Sequence, residues 1–193
     1  MTIFTTKGLA LKLTLARIYC IPLFVIFYFF HPEAWGQWLA LGIYTFASIS
    51  DYLDGYLARK NNEVSAFGAF LDPVADKLMV CTVLITVLAN NAQEYLVFIC
   101  ALIIISREIW VSALREWLAT VGKREAVAVS KAGKYKTACQ MFALGFLIYR
   151  EKFIGLPIWQ IGQVLLVIAT ILTIYSLIGY TKSAFKAMQE TKK

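Results

Sequence analysis

The sequence predicts an all-α integral membrane protein, six transmembrane helices in one bundle with both termini on the cytoplasmic side. Three observations carry that expectation. The chain is 60% hydrophobic, where soluble domains run nearer about 45–50%, and its mean hydropathy is +0.66. The apolar residues fall in long runs, and a helix needs roughly 20 of them to cross a bilayer. The basic residues are concentrated on alternate connections between those runs.

The runs place spans at about 13–30, 38–57, 70–89, 95–117, 135–149 and 158–180. No linker, low-complexity segment or fixed-period repeat interrupts them, so residues 1–193 read as a single membrane domain. The first span is expected to stay in the membrane. Its apolar run ends in His31-Pro32-Glu33, not in the small-residue site of a cleaved leader.

With both termini inside, the cytoplasmic segments take Lys7, Lys12, Arg17, Arg59, Lys60, Lys123, Arg124, Lys131, Lys134, Lys136, Lys182, Lys186, Lys192 and Lys193. The outer loops keep Arg150 and Lys152. This is the positive-inside asymmetry. It accounts for the net charge of +7 without nucleic acid, and a basic inner face favours anionic lipids and phosphorylated substrates. Trp35, Trp38, Tyr95, Trp117 and Trp159 sit near span ends, as interfacial aromatics do. Cys20, Cys81, Cys100 and Cys139 all lie in apolar spans without CxxC spacing and read as small buried hydrophobes. The single histidine, His31, excludes a zinc constellation built on paired histidines.

The chemistry is concentrated between residues 51 and 76. Asp51, Asp54, Gly55 and Ala58 are spaced i, i+3, i+4 and i+7, and Gly68, Asp72 and Asp76 follow at intervals of four. Each set shares one helix face. The polar stretch from Lys60 to Ser65 is short enough to return the chain as a helical hairpin. Two helix ends then aim two carboxylates each at a common point. Pro73 is expected in the first turn of a helix that begins near Phe70, where its missing N–H costs nothing.

An aspartate within the membrane costs roughly 2.5–3.5 kcal/mol, so four cost on the order of 10 kcal/mol unless compensated. The basic residues near them in sequence are Arg59, Lys60 and Lys77, too few to neutralise four acids and also serve a substrate. Hard divalent cations answer the need, and all-oxygen ligation points to Mg²⁺, Mn²⁺ or Ca²⁺. Intramembrane acids also mark ion pathways, so a cation transporter is the alternative from another class. Against it, these acids cluster at one surface, with no repeat symmetry.

The pattern D-x2-D-G-x2-A-R-x8-G-x3-D-x3-D is met at every fixed position by Asp51, Asp54, Gly55, Ala58, Arg59, Gly68, Asp72 and Asp76. It resembles the signature of the CDP-alcohol phosphatidyltransferases. Residues 65–77, 106–117 and 133–137 and the Leu13-Thr14-x-x-Arg17 segment are similar to the branch that takes glycerol 3-phosphate as acceptor. One departure is Ala10-Leu11, where many relatives have Pro-Asn, so no nucleotide contact carries over to that segment.

The resemblance implies a six-helix bundle, commonly a homodimer, in the bacterial inner membrane, with its site open to the cytoplasmic leaflet. Asp51, Asp54 and Asp72 would hold one metal ion, Mg²⁺ or Mn²⁺, and Asp51, Asp72 and Asp76 a second. Asp76 would also be the general base. Arg59 would contact the diphosphate of CDP-diacylglycerol. Gly55 and Ala58 would admit the cytidine, with Asp54 and Gly68 in the same nucleotide site. Relatives using another alcohol, such as phosphatidylglycerol or an inositol phosphate, remain open at this point.

A glycerol 3-phosphate acceptor would need a cationic pocket. Arg107, Ser112, Arg115, Lys131, Lys134 and Lys136 are its candidates, since guanidinium forks match a phosphate dianion. Arg107 stands out because it lies inside an apolar run, whereas the positive-inside rule already accounts for Lys123 and Arg124.

Overall fold

The computed structural model describes residues 9–30, 34–61, 66–91, 93–122 and 131–191. They form α1 (Leu9–Phe30), α2 (Ala34–Asn61), α3 (Ala66–Ala89), α4 (Tyr95–Thr120), α5 (Lys131–Tyr149) and α6 (Ile158–Thr191). Three of these carry segments long and apolar enough to cross a membrane, Leu11–Phe30, Tyr95–Thr120 and Ile158–Lys186. The other three, α2, α3 and α5, contribute Asp51, Asp72, Asp76 and Lys136 to the ionisable clusters described below.

The burial pattern fits a membrane protein. On α4 the exposed side chains include Phe98, Ile99, Leu102 and Ile109, while Arg107 is buried. On α6 Val164, Ile171 and Tyr175 face outward, and Thr170, Thr173 and Ser176 are buried. Water would impose the reverse order, and lipid permits this one because polar groups there must find partners inside the protein. The Thr170 hydroxyl accordingly donates to the Leu166 carbonyl at 2.8 Å, and that of Ser176 to the Thr173 carbonyl at 3.0 Å.

The helices group into two compact units, residues 1–91 with 148–150 and residues 92–147 with 151–193. In the first, α1 packs against both α2 and α3. Its core takes Phe24 and Tyr28 from α1, Ala40, Tyr44 and Ala47 from α2, and Ala75, Met79, Val83 and Val87 from α3. The α3 residues recur every four positions and so form one stripe. In the second unit α4 packs on α6, with Val111, Leu118, Tyr180 and Ala184 in one cluster. Gly162 lets α6 approach α5 closely: a Cβ there would stand 3.1 Å from the Phe146 Cβ and 3.2 Å from the Leu147 side chain. Small residues serve membrane helices in this way.

Three expectations change. The helices overrun the apolar spans, most of all α6, which continues to Thr191; hydropathy marks where lipid ends, not where helical hydrogen bonding ends. Because α3 already begins at Ala66, Pro73 lies inside the helix and not in its first turn, and the carbonyl one turn before it receives no N–H from residue 73. Finally, α5 and α6 are joined by a two-stranded antiparallel hairpin, β1 (Lys152–Phe153) and β2 (Leu156–Pro157). Its loop, Ile154-Gly155, has φ of 51° and 79°, the two positive values that a tight primed turn demands.

Candidate active site

The first unit brings together residues from three helices. Thr14 and Arg17 are three apart on α1 and lie on one face. Both are buried, Arg17 to 2% exposure. The Arg17 Nη1 stands 2.8 Å from Asp51 Oδ1 on α2 and also donates to Asp76 Oδ1 on α3. The Thr14 hydroxyl donates to Asp72 Oδ1 at 2.5 Å. One buried guanidinium nitrogen thus joins the first carboxylate pair to the second, and the turn of helix beside it holds Asp72. Asp51 and Asp76 keep side-chain exposures of 42% and 48%, so their carboxylates remain open to a solvent-borne partner.

Arg17 corrects the sequence reading. Counted from sequence only among the cytoplasmic positive charges, it is part of the aspartate cluster, a role missed because it is distant in sequence. The available signal was a cation placed three residues after a threonine inside an apolar helix, where an unpaired charge is costly. Asp54, Gly55, Ala58 and Arg59 lie on the helical backbone of α2, but their side chains lie outside the described residues. Gly68 is in the first turn of α3, half-buried.

The cluster suits a hard cation in its donor chemistry, being carboxylate and hydroxyl oxygen only, and Arg17 shows that it already accommodates positive charge. Among the described residues no three His, Cys, Asp or Glu side chains close on one point; the side chain of Asp54, the fourth acid of the motif, is outside that set.

A second cluster lies in the other unit, on α4, α5 and α6. Glu108 Oε1 accepts from Arg107 Nη1 at 2.9 Å and from Lys136 Nζ at 2.7 Å. Arg107 and Lys136 are both buried. Arg107 Nη2 also donates to the Ser176 hydroxyl at 3.2 Å, and the Ser112 hydroxyl turns back to the Glu108 carbonyl at 2.6 Å. The guanidinium carbons of Arg107 and Arg115 lie 5.6 and 5.8 Å from the centre of the Tyr180 ring, within cation–π range. Two cations share one carboxylate, which leaves the trio with a positive charge. Of the residues predicted to bind the acceptor, Arg107, Ser112, Arg115 and Lys136 therefore meet around Glu108 and Tyr180. The side chains of Lys131 and Lys134 lie outside the described residues. Glu108, the common anchor, is not among the residues predicted from sequence, although it shares a helix face with Ser112 and Arg115. An acid beside an arginine within an apolar run was the signal.

A family model described as CDP-alcohol phosphatidyltransferase matches residues 7–175. The chain belongs to that family. Among CDP-alcohol phosphatidyltransferase relatives, a protein of Haemophilus influenzae is 46% identical over 173 residues, 89% of this chain and 90% of its own length. One from Pectobacterium atrosepticum is 45% identical over 172 residues, 89% and 92% of the two chains. One from Shigella flexneri is 42% identical over 174 residues, again 89% and 92%. Each is named CDP-diacylglycerol–glycerol-3-phosphate 3-phosphatidyltransferase. The matched region contains the first cluster and, of the second, the residues on α4 and α5 but not Ser176 or Tyr180, and the Thr14 and Arg17 contacts bind the first span of the family domain to its aspartate motif.

Proposed function

We propose that the chain transfers a phosphatidyl group from CDP-diacylglycerol to sn-glycerol 3-phosphate, giving phosphatidylglycerophosphate and CMP. The observation that carries this reading is the joining of Asp51, Asp72 and Asp76 through one face of α1, in a chain whose relatives bear that activity in their names.

In this reading Asp51, Asp54, Asp72 and Asp76 hold two divalent ions, Mg²⁺ or Mn²⁺. When bound, the ions neutralise the diphosphate and the charge that builds on departing CMP. Asp76 takes the proton from the C1 hydroxyl of glycerol 3-phosphate, whose oxygen then attacks the phosphorus bearing diacylglycerol. Arg17 fixes Asp51 and Asp76 relative to each other, and Thr14 fixes Asp72, so that the acids are held before substrate arrives. Arg59 contacts the diphosphate, and Asp54, Gly55, Ala58 and Gly68 form the nucleotide site. The acceptor's phosphate is bound by the cationic set of Arg107, Ser112, Arg115, Lys131, Lys134 and Lys136, with Glu108 holding two of these in place.

We further propose a single six-span domain in the bacterial inner membrane, N-in and C-in, acting as a homodimer with its site toward the cytoplasm. The charge asymmetry and the family resemblance support this arrangement.

The deciding experiment supplies purified protein with CDP-diacylglycerol, Mg²⁺ and a panel of alcohols. CMP is expected to appear with glycerol 3-phosphate. Release only with another alcohol would replace the acceptor, and no release from folded protein with any alcohol would remove the reaction itself.

A further inference from the structure

Within the second unit, α4 and α6 border an open groove of about 560 Å³ that none of the residues assigned to the transfer lines. Its apolar wall comes from Trp110, Ile178 and Phe185, and Lys182 and Lys186 add two positive charges at i and i+4 on α6. Both lysines are exposed, and among the described residues neither is paired with an acid. The Trp110 indole N–H donates to the Thr181 hydroxyl at 3.3 Å, which ties the ring to α6 at the level of the lysines.

Depth distinguishes this groove from an ordinary greasy cleft. At 1.5 Å per residue the 34 residues of α6 extend about 51 Å, against about 30 Å of bilayer core. Counted from Ile158, the hydrocarbon region is spent by about residue 178, so Lys182 and Lys186 reach headgroup depth, Ile178 stays among acyl chains, and the Trp110 ring, held to Thr181, lies at the boundary between them. The positive-inside rule asks for lysines here, but not for a concave apolar surface directly beside them. The volume lies within the range of roughly 300–1,000 Å³ that holds a small molecule.

We propose that this groove holds one resident anionic glycerophospholipid of the inner leaflet. An acyl chain runs from the Trp110 ring along Ile178, and the phosphate sits between Lys182 and Lys186, beside Phe185. The inference rests on α6 crossing the membrane with its C-terminal end inside, and is independent of the acceptor chosen by the enzyme.

The test reads Trp110 directly. Protein is placed in phosphatidylcholine nanodiscs doped with brominated-chain phosphatidylserine or brominated-chain phosphatidylcholine, and fluorescence quenching is compared with that of Trp110→Phe. Phosphatidylserine is anionic yet is neither substrate nor product of the proposed transfer, so the result stands apart from CMP release. Two basic residues near a membrane surface raise anionic-lipid affinity by up to roughly thirtyfold. Trp110-dependent quenching should therefore reach half-saturation at about tenfold less phosphatidylserine than phosphatidylcholine. Lys182→Gln/Lys186→Gln should abolish that difference, and each single variant should give an intermediate one. Equal quenching by both lipids in the wild type would overturn the proposal, as would a preference that survives in the double variant. Loss of all Trp110-dependent quenching together with a doubled protein mass by light scattering would instead assign the groove to a second copy of the chain.

Discussion

Arg17 and Glu108 show opposite uses of one physical device, a charge made tolerable by sharing. Arg17 is a single cation between two acids, and Glu108 a single acid between two cations. Breaking a buried pair by removing one partner costs about 3–5 kcal/mol. For Arg17→Met the expected cost is about 2 kcal/mol, because Asp51 and Asp76 are half-exposed and water recovers part of the loss. Thermal unfolding in detergent would show the lower stability, and CMP release should fall on the order of 100-fold as the acids lose their register. For Glu108→Gln, whose partners are both buried, the full range of about 3–5 kcal/mol applies; a variant that melts like wild type would remove Glu108 as the anchor. Asp72→Asn retains the shape and can still accept from Thr14, so it should fold and stay in the membrane yet lose CMP release; near-normal turnover would discard the metal-binding role of this acid. The four aspartates were legible in sequence because helical spacing is local information. Arg17 was not, because its partners are 34 and 59 residues away and only packing of α1 on α2 and α3 brings them together.

At the scale of elements, close helix contact depends on what is missing from a side chain. The Phe146 Cβ is fixed to its backbone and cannot swing away from a new group on Gly162. Gly162→Leu is therefore expected to destabilise the fold by about 1–3 kcal/mol through overpacking, and Gly162→Ala by less. Both are measured as shifts in detergent unfolding, and an unchanged midpoint for the leucine variant would rule out this approach of α5 to α6. The existence of each helix was legible from its apolar run. Their ends were not, since α2, α5 and α6 continue through polar residues that hydropathy discards. The hairpin between α5 and α6 was hidden for a different reason. Its strands are two residues long, and the residue at φ 51° is Ile154, a type that seldom takes that conformation; Gly155 was the one readable turn residue.

At the scale of the whole molecule, orientation follows from charge, and charge can be tested without any enzymology. Moving a lysine or arginine through the hydrocarbon centre is unfavourable by about 2.5–3.5 kcal/mol each, so the basic α6 end and the sparsely charged 150–157 hairpin should face opposite sides. The four native cysteines give a convenient background, since Cys20 and Cys100 are buried and Cys81 and Cys139 partly so. In intact spheroplasts a membrane-impermeant maleimide is expected to label Lys152→Cys but not Lys186→Cys, and permeabilisation should expose the second. Labelling of residue 186 alone would invert α6 and put Lys182 and Lys186 at the outer surface. Labelling of both in intact cells would mean that α6 does not cross, which would also remove the headgroup depth on which the lipid groove depends.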